Sequence, residues 1–273
     1  MKSKNKSLEF TIAAWLILGI GAPLVRQFGQ KILPEEYLSL VTNLIVLLIA
    51  IYLNSKFFKV PIRWQNRHNF KSQLITCLPA LIFILLLVDI WHWQLGSLFF
   101  VNLLNLFLSA VSNIFIIYGL ILTLVEQANP DKPYRAVVVS TIAFGLTNIY
   151  ILSISYGSGV FLMSVIEKII LSMAFSVLLA TVYLKTHHLN LVIALQMMYL
   201  APRILNELSV PLTSNTFTLA YLIIAIFYFI FLTQVVNSAT DFITLKIVMN
   251  SAVLLICLFV SYQQFKPKKM PPK

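Results

Sequence analysis

Long apolar runs separated by short polar gaps set the pattern of this chain. The runs are Glu9–Val25, Tyr37–Leu53, Gln73–Trp91, Ser97–Val125, Ala136–Ile154, Gly157–Leu184, Leu189–Leu205, Thr216–Val236 and Phe242–Tyr262. A helix needs about 20 apolar residues to cross the hydrocarbon layer of a bilayer. The strands of a membrane barrel would be shorter and would alternate in polarity. The pattern therefore predicts an all-α fold, a polytopic transmembrane helical bundle of eight or nine spans, with 1–273 as a single integral membrane domain. No repeat of inverted pattern is visible, which weakens a transporter of the inverted-repeat type.

The polar residues inside the runs carry the candidate chemistry. The fourth run holds Asn102, Asn105, Ser109, Ser112 and Asn113 at steps of three and four, which puts most of them on one helix face. Such a stripe either glues helices together or forms one wall of an internal cavity. Asn148 and Gln196 offer amides in the fifth and seventh runs, so these three segments are expected to face one another.

Ionisable residues at membrane depth are costly and mark candidate sites. Glu167 and Lys168 lie well inside the sixth run. Adjacent helical residues point about 100° apart, so each is expected to find a partner on a neighbouring helix, to snorkel, or to form a proton or substrate site. Lys246, one turn into the last run, snorkels. Asp89 and His92 close the third run beside Trp91 and Trp93 and read as a hydrogen-bonded interfacial pair. His187-His188, next to Lys185, reads as a cytoplasmic polar turn.

Composition agrees with the pattern. Hydrophobic residues make up 59% of the 273, charged residues 11%, and mean hydropathy is +0.89. A soluble domain carries about 25% charge. Net charge is +11, but the basic residues sit in short loops and tails, where topology and anionic headgroups account for them without nucleic acid. With the N-terminus inside, inner loops hold Lys56, Lys59, Arg63, Arg67, Lys71, Lys132, Arg135 and Lys185, beside Lys2, Lys4 and Lys6. Outer loops hold Arg26, Lys31 and Arg203. The bias places the chain in the cell membrane with a cytoplasmic N-terminus. Nine crossings would leave Lys266, Lys268, Lys269 and Lys273 outside, against the rule, and eight would bring them inside.

The lysine-rich start resembles that of a signal peptide, but no small-residue cleavage site follows, so the first run reads as a retained span. Cys77 and Cys257 lack metal spacing and read as small core hydrophobes. No Gly-rich phosphate loop, His-Glu-x-x-His or Gly-x-Ser-x-Gly motif occurs.

Three positions resemble a known family layout. The CAAX protease and bacteriocin-processing (Abi) family of intramembrane proteases carries Glu-Glu-x-x-x-Arg in one span, Phe-x-x-x-His in the next, and a later His followed four residues on by Asn. Phe144-Gly145-Leu146-Thr147-Asn148 matches the second motif with Asn148 in place of His. Leu189–Gln196 has the shape of the third, with Gln196 at the His position and Leu200 at that of Asn. Tyr118-Gly119 stands at the Arg-Gly step, which puts Asn113 and Ile114 at the glutamates. The likeness covers about 97–205.

In that family the carboxylates and imidazoles are taken to activate water and stabilise an oxyanion. Asn and Gln keep hydrogen-bonding shape but cannot accept a proton near neutral pH, and they are poor metal ligands. The resemblance thus implies a non-catalytic member without metal or cofactor. It would bind a peptide, a lipid or a partner helix, in an immunity or accessory role by analogy. An endopeptidase using Glu167 as base and a transporter component are the alternatives. Expected partners are the lipid bilayer and a peptide or another membrane protein.

Overall fold

The computed structural model describes residues 21–64, 70–87, 98–147, 159–205 and 239–265. All regular structure among them is helical. The helices are α1 (Ala22–Gly29), α2 (Glu35–Leu53), α3 (Phe70–Leu87), α4 (Phe99–Ala128), α5 (Pro133–Thr147), α6 (Gly159–Thr186), α7 (Leu189–Leu205) and α8 (Ala239–Phe265). Most of the first candidate span, all of Thr216–Val236, Asn148, Asp89, His92 and the tail lysines lie outside the described residues.

Four helices among the described residues are long and apolar enough to cross a membrane: Tyr37–Phe58, Phe99–Ala128, Val165–Thr186 and Ile247–Phe265. Ser72–Leu85, Pro133–Leu146 and Leu189–Ala201 are apolar but shorter. Burial sorts the four into two layers. In their most apolar windows, 78% of α4 and 65% of α6 is buried, against 28% of α2 and 17% of α8. The two central helices are therefore α4 and α6. α2 and α7 lie along α4, while α3, α5 and α8 lie along α6.

The outer surface is as apolar as the core. On α3, Ile75, Leu78, Ile82 and Leu85 recur at helical spacing on the exposed face, while Cys77, Ala80, Phe83 and Ile84 are buried on the other. On α8, Val248, Leu255, Ile256 and Phe259 are exposed and Cys257 is buried. Water would penalise such surfaces, whereas hydrocarbon does not. With apolar groups on both sides, the fold gains little from burial itself, so helices must recognise one another by close packing and polar contacts.

Those polar contacts are specific. Asn43 on α2 donates its amide to Asn105 Oδ1 on α4 at 3.1 Å. Asn250 on α8 donates to the Glu167 carbonyl on α6 at 3.3 Å. The Thr181 hydroxyl donates to the Val177 carbonyl, so at 2.6 Å it is Ser261 of α8 that donates to Thr181 Oγ1. Replacing Ser261 by alanine is expected to loosen α8 from α6 by about 0.6 kcal/mol, the usual worth of such a bond in membrane bundles. Thermal unfolding in detergent measures it, and the Thr181→Val, Ser261→Ala pair should show that the two losses are not additive.

The turn after α2 is locked by side chain and backbone together. Asn54 accepts the Val60 N–H at 2.9 Å and donates to the Val60 carbonyl at 3.2 Å. Lys59 takes a left-handed conformation (φ 52°) while its N–H reaches the Asn54 carbonyl at 2.7 Å. The chain then runs without regular structure to Trp64, and the Arg63 and Trp64 carbonyls accept the N–H groups of Leu189 and Asn190. This strap thus satisfies two donors at the start of α7 that an unaided helix end leaves open. His188 Nδ1 takes a third, from Leu191, at 3.2 Å.

Candidate functional site

The middle of α4 is unusually wound. From Phe115 to Leu122 it follows i→i+5 hydrogen bonding, and all eight residues are buried. Such wide turns are uncommon and concentrate at functional positions. Here Thr123 stabilises the wide turn by donating its hydroxyl to the Tyr118 carbonyl, five residues back, at 3.1 Å. The Tyr183 hydroxyl of α6 donates in turn to Thr123 Oγ1 at 3.2 Å, and Arg63 of the strap is within electrostatic reach of the Tyr183 hydroxyl. A hydrogen-bonded chain thus leads from α6 into the centre of α4.

Tyr118 itself is fully buried and points at α6. Its hydroxyl lies 2.8 Å from Ser176 Oγ and 3.3 Å from the Ser176 carbonyl. Phe144 of α5 lies against its ring, centroids 6.4 Å apart. Two of the family-layout positions, Tyr118 and Phe144, therefore meet. Gly145, next along, lets α5 approach α6, since a Cβ there would lie 2.7 Å from Met173 Cγ and Sδ. Gly119 faces Leu189 and Ile62, where a Cβ would make ordinary contact at 3.7 and 3.8 Å.

Gln196 sits on α7 with 2% exposure. No donor among the described residues reaches its side-chain oxygen. One turn further on, Tyr199 stacks on Phe175 at 4.3 Å, and Phe83 packs against both rings, 5.4 Å from Phe175 and 6.5 Å from Tyr199. Gly119 meets Leu189 while Leu106 joins Met197, Leu200 and Ala201, so α4 and α7 run antiparallel. The half-buried Asn113 lies on α4 between those two contacts. Asn148, the third amide of the expected site, lies outside the described residues.

The rest of the polar stripe is spent within the bundle. Asn105 takes Asn43, Ser112 donates to the Ser109 carbonyl at 3.2 Å, and Asn102 is half-buried in the first turn of α4. Glu167 is half-buried on α6, where its carbonyl faces α8 through Asn250. The Lys168 side chain lies outside what the structure describes. Cys77 and Cys257 are buried and free.

Sequence reasoning passed over a charged cluster at the strap end. His187 closes α6 in a left-handed conformation (φ 48°), and its Nε2 is 3.9 Å from Glu126 Oε1. The Arg63 guanidinium is within electrostatic reach of the same carboxylate. A histidine one residue past a helix end is a recognisable C-terminal signal, but its partner is 61 residues away along the chain. Among the described residues no three His, Cys, Asp or Glu side chains gather as metal ligands. Among the described residues, the interior around Tyr118 and Gln196 offers hydrogen bonds and aromatic faces.

Compared with known proteins, the chain matches no family model, no curated protein and no solved structure.

Proposed function

We propose that the chain is a non-catalytic multi-pass protein of the cell membrane, with eight or nine spans and a cytoplasmic N-terminus. In this reading it has the layout of the CAAX-type intramembrane proteases, and its interior binds the apolar segment of a membrane-embedded peptide or partner helix. The observation that carries the reading is Gln196, buried mid-helix with an unpaired side-chain oxygen among the described residues. Leaving a buried acceptor unpaired costs about 1–3 kcal/mol. A position with only a packing role would shed that cost by becoming leucine. Retaining an amide there is explained by a donor that arrives from outside the described bundle.

The chemistry limits what that donor can undergo. An amide orients and discriminates but cannot take a proton from water at neutral pH. Bound segments are therefore held and not cut.

The test uses purified protein in lipid vesicles with two labelled probes, a farnesylated peptide ending in a CAAX sequence and an apolar membrane-spanning peptide. Saturable binding of at least one probe without cleavage is expected. Gln196→Leu should weaken that binding about tenfold, the worth of one interhelical amide bond at the upper end, without lowering the unfolding temperature. Cleavage that disappears in Glu167→Gln would establish the enzymatic alternative. Failure of both probes to bind would refute the binding role.

A further inference from the structure

The strap has two chemically different faces. From Lys59 to Ile62 exposed and more buried residues alternate. Val60 is buried, Ile62 lies against Gly119, and the Trp64 ring is 6.0 Å from that of Phe115. These inward residues seat the strap on the wide turn of α4. Lys59, Pro61 and Arg63 alternate with them and are exposed. Lys56 and Phe57, just before the turn, are also exposed, Phe57 at 68%. Trp64 keeps an exposed edge beside Arg63.

Position fixes what this face meets. The strap begins where the apolar helix Tyr37–Phe58 ends, which is where a spanning helix leaves hydrocarbon for headgroups. Aromatic rings and long basic side chains belong at that boundary, the rings at headgroup depth and the cations at the phosphates. Here three exposed cations, Lys56, Lys59 and Arg63, follow one another with the exposed Phe57 and Trp64 among them. Glu126 answers Arg63, and no carboxylate occurs in the chain between Tyr37 and Asp89 to answer Lys56 or Lys59 in sequence. The left-handed Lys59, held by Asn54, keeps its side chain on the outward side of the turn at a backbone cost that most residues avoid.

We propose that the outer face of the Asn54–Trp64 strap is a binding surface for anionic phospholipid headgroups, with Lys56 and Lys59 reading the phosphate charge and Phe57 and the exposed part of Trp64 lying at headgroup depth. The proposal rests on the membrane-spanning reading given above and is independent of the site around Gln196.

The test measures fluorescence of Trp64 in the full chain with Trp15, Trp91 and Trp93 changed to Phe. The protein is reconstituted in vesicles of phosphatidylcholine into which brominated phosphatidylcholine or brominated phosphatidylglycerol is mixed. Quenching by the choline lipid reports that Trp64 lies at the bilayer, whatever the headgroup preference. The glycerol lipid is expected to bind about fivefold more tightly than the choline lipid. The Lys56→Gln, Lys59→Gln double variant should bring the ratio close to one, each lysine contributing up to about fivefold at low salt. Unchanged quenching by the choline lipid in that variant shows that the strap is still seated. Equal binding of both lipids by the unmodified strap, or a preference that survives the double variant, overturns the headgroup assignment while the membrane reading stands. Quenching by neither lipid overturns both.

Discussion

Replacing Phe175 by alanine is expected to destabilise the protein by about 3 kcal/mol, while replacing Phe259 by alanine should change stability by less than about 0.5 kcal/mol. Both are phenylalanines on apolar helices, so composition alone would rank them equally. Phe175 is fully buried on α6 in a three-ring cluster with Phe83 of α3 and Tyr199 of α7, and so joins three helices. Phe259 on α8 is 62% exposed. In water the loss on Phe→Ala combines a transfer cost with a cavity cost, together ~3–5 kcal/mol. In hydrocarbon the transfer cost nearly vanishes, because lipid is as apolar as the core. The cavity cost remains, since the surrounding rings lose contact atoms on one side. The loss at Phe175 therefore falls at the low end of that range, and lipid or detergent fills the space left at Phe259. Unfolding midpoints in one detergent compare the two directly. Equal losses would mean that α6 is not the packed centre.

The sequence showed where apolar helices would lie, because hydrophobicity reports the solvent that a segment can tolerate. It was less informative about where helices end. The fourth run stops being apolar at Val125, yet α4 continues through Glu126 and Gln127 to Ala128, since the backbone ladder does not need an apolar solvent. The stripe of Asn102, Asn105 and Asn113 was visible as a face, and α4 is indeed the most buried of the four long helices. Its partner was not visible. Asn105 meets Asn43 from the second run, and nothing in the order of the runs says that α2 lies against α4. Amide pairs across helices depend on neighbour relations, which a single chain read linearly does not contain.

The wide turn was hidden for a different reason. A change from i→i+4 to i→i+5 bonding leaves no trace in a segment whose every residue is buried. The contacts that go with it use Ser176, Thr123 and Tyr183, ordinary residues in apolar helices. His187-His188 was legible as a turn, but the separate tasks of the two imidazoles were not. One faces Glu126 beyond the end of α6, and the other accepts the Leu191 N–H at the start of α7.

The centre of α4 supplies the second large effect. Tyr118→Ala is expected to cost ~3–5 kcal/mol, while Tyr118→Phe should cost only about 1 kcal/mol. The alanine removes a ring that is wholly buried between α5 and α6 and exposes Phe144 to a void. The phenylalanine keeps the ring and removes the hydroxyl alone, and Ser176 Oγ can then turn to a carbonyl of its own helix. The two variants separate packing from polar bonding at Tyr118. If packing dominates, they differ by several-fold in cost, and unfolding in detergent resolves them. Were they equally damaging, the hydroxyl's contact with Ser176 would matter more than the ring. The wide turn would then be maintained by polar bonding. Amide exchange at residues 118–123 gives an independent reading. Under the packing account Tyr118→Phe leaves protection there intact, because the Thr123 hydroxyl still holds the Tyr118 carbonyl whichever side chain that residue carries.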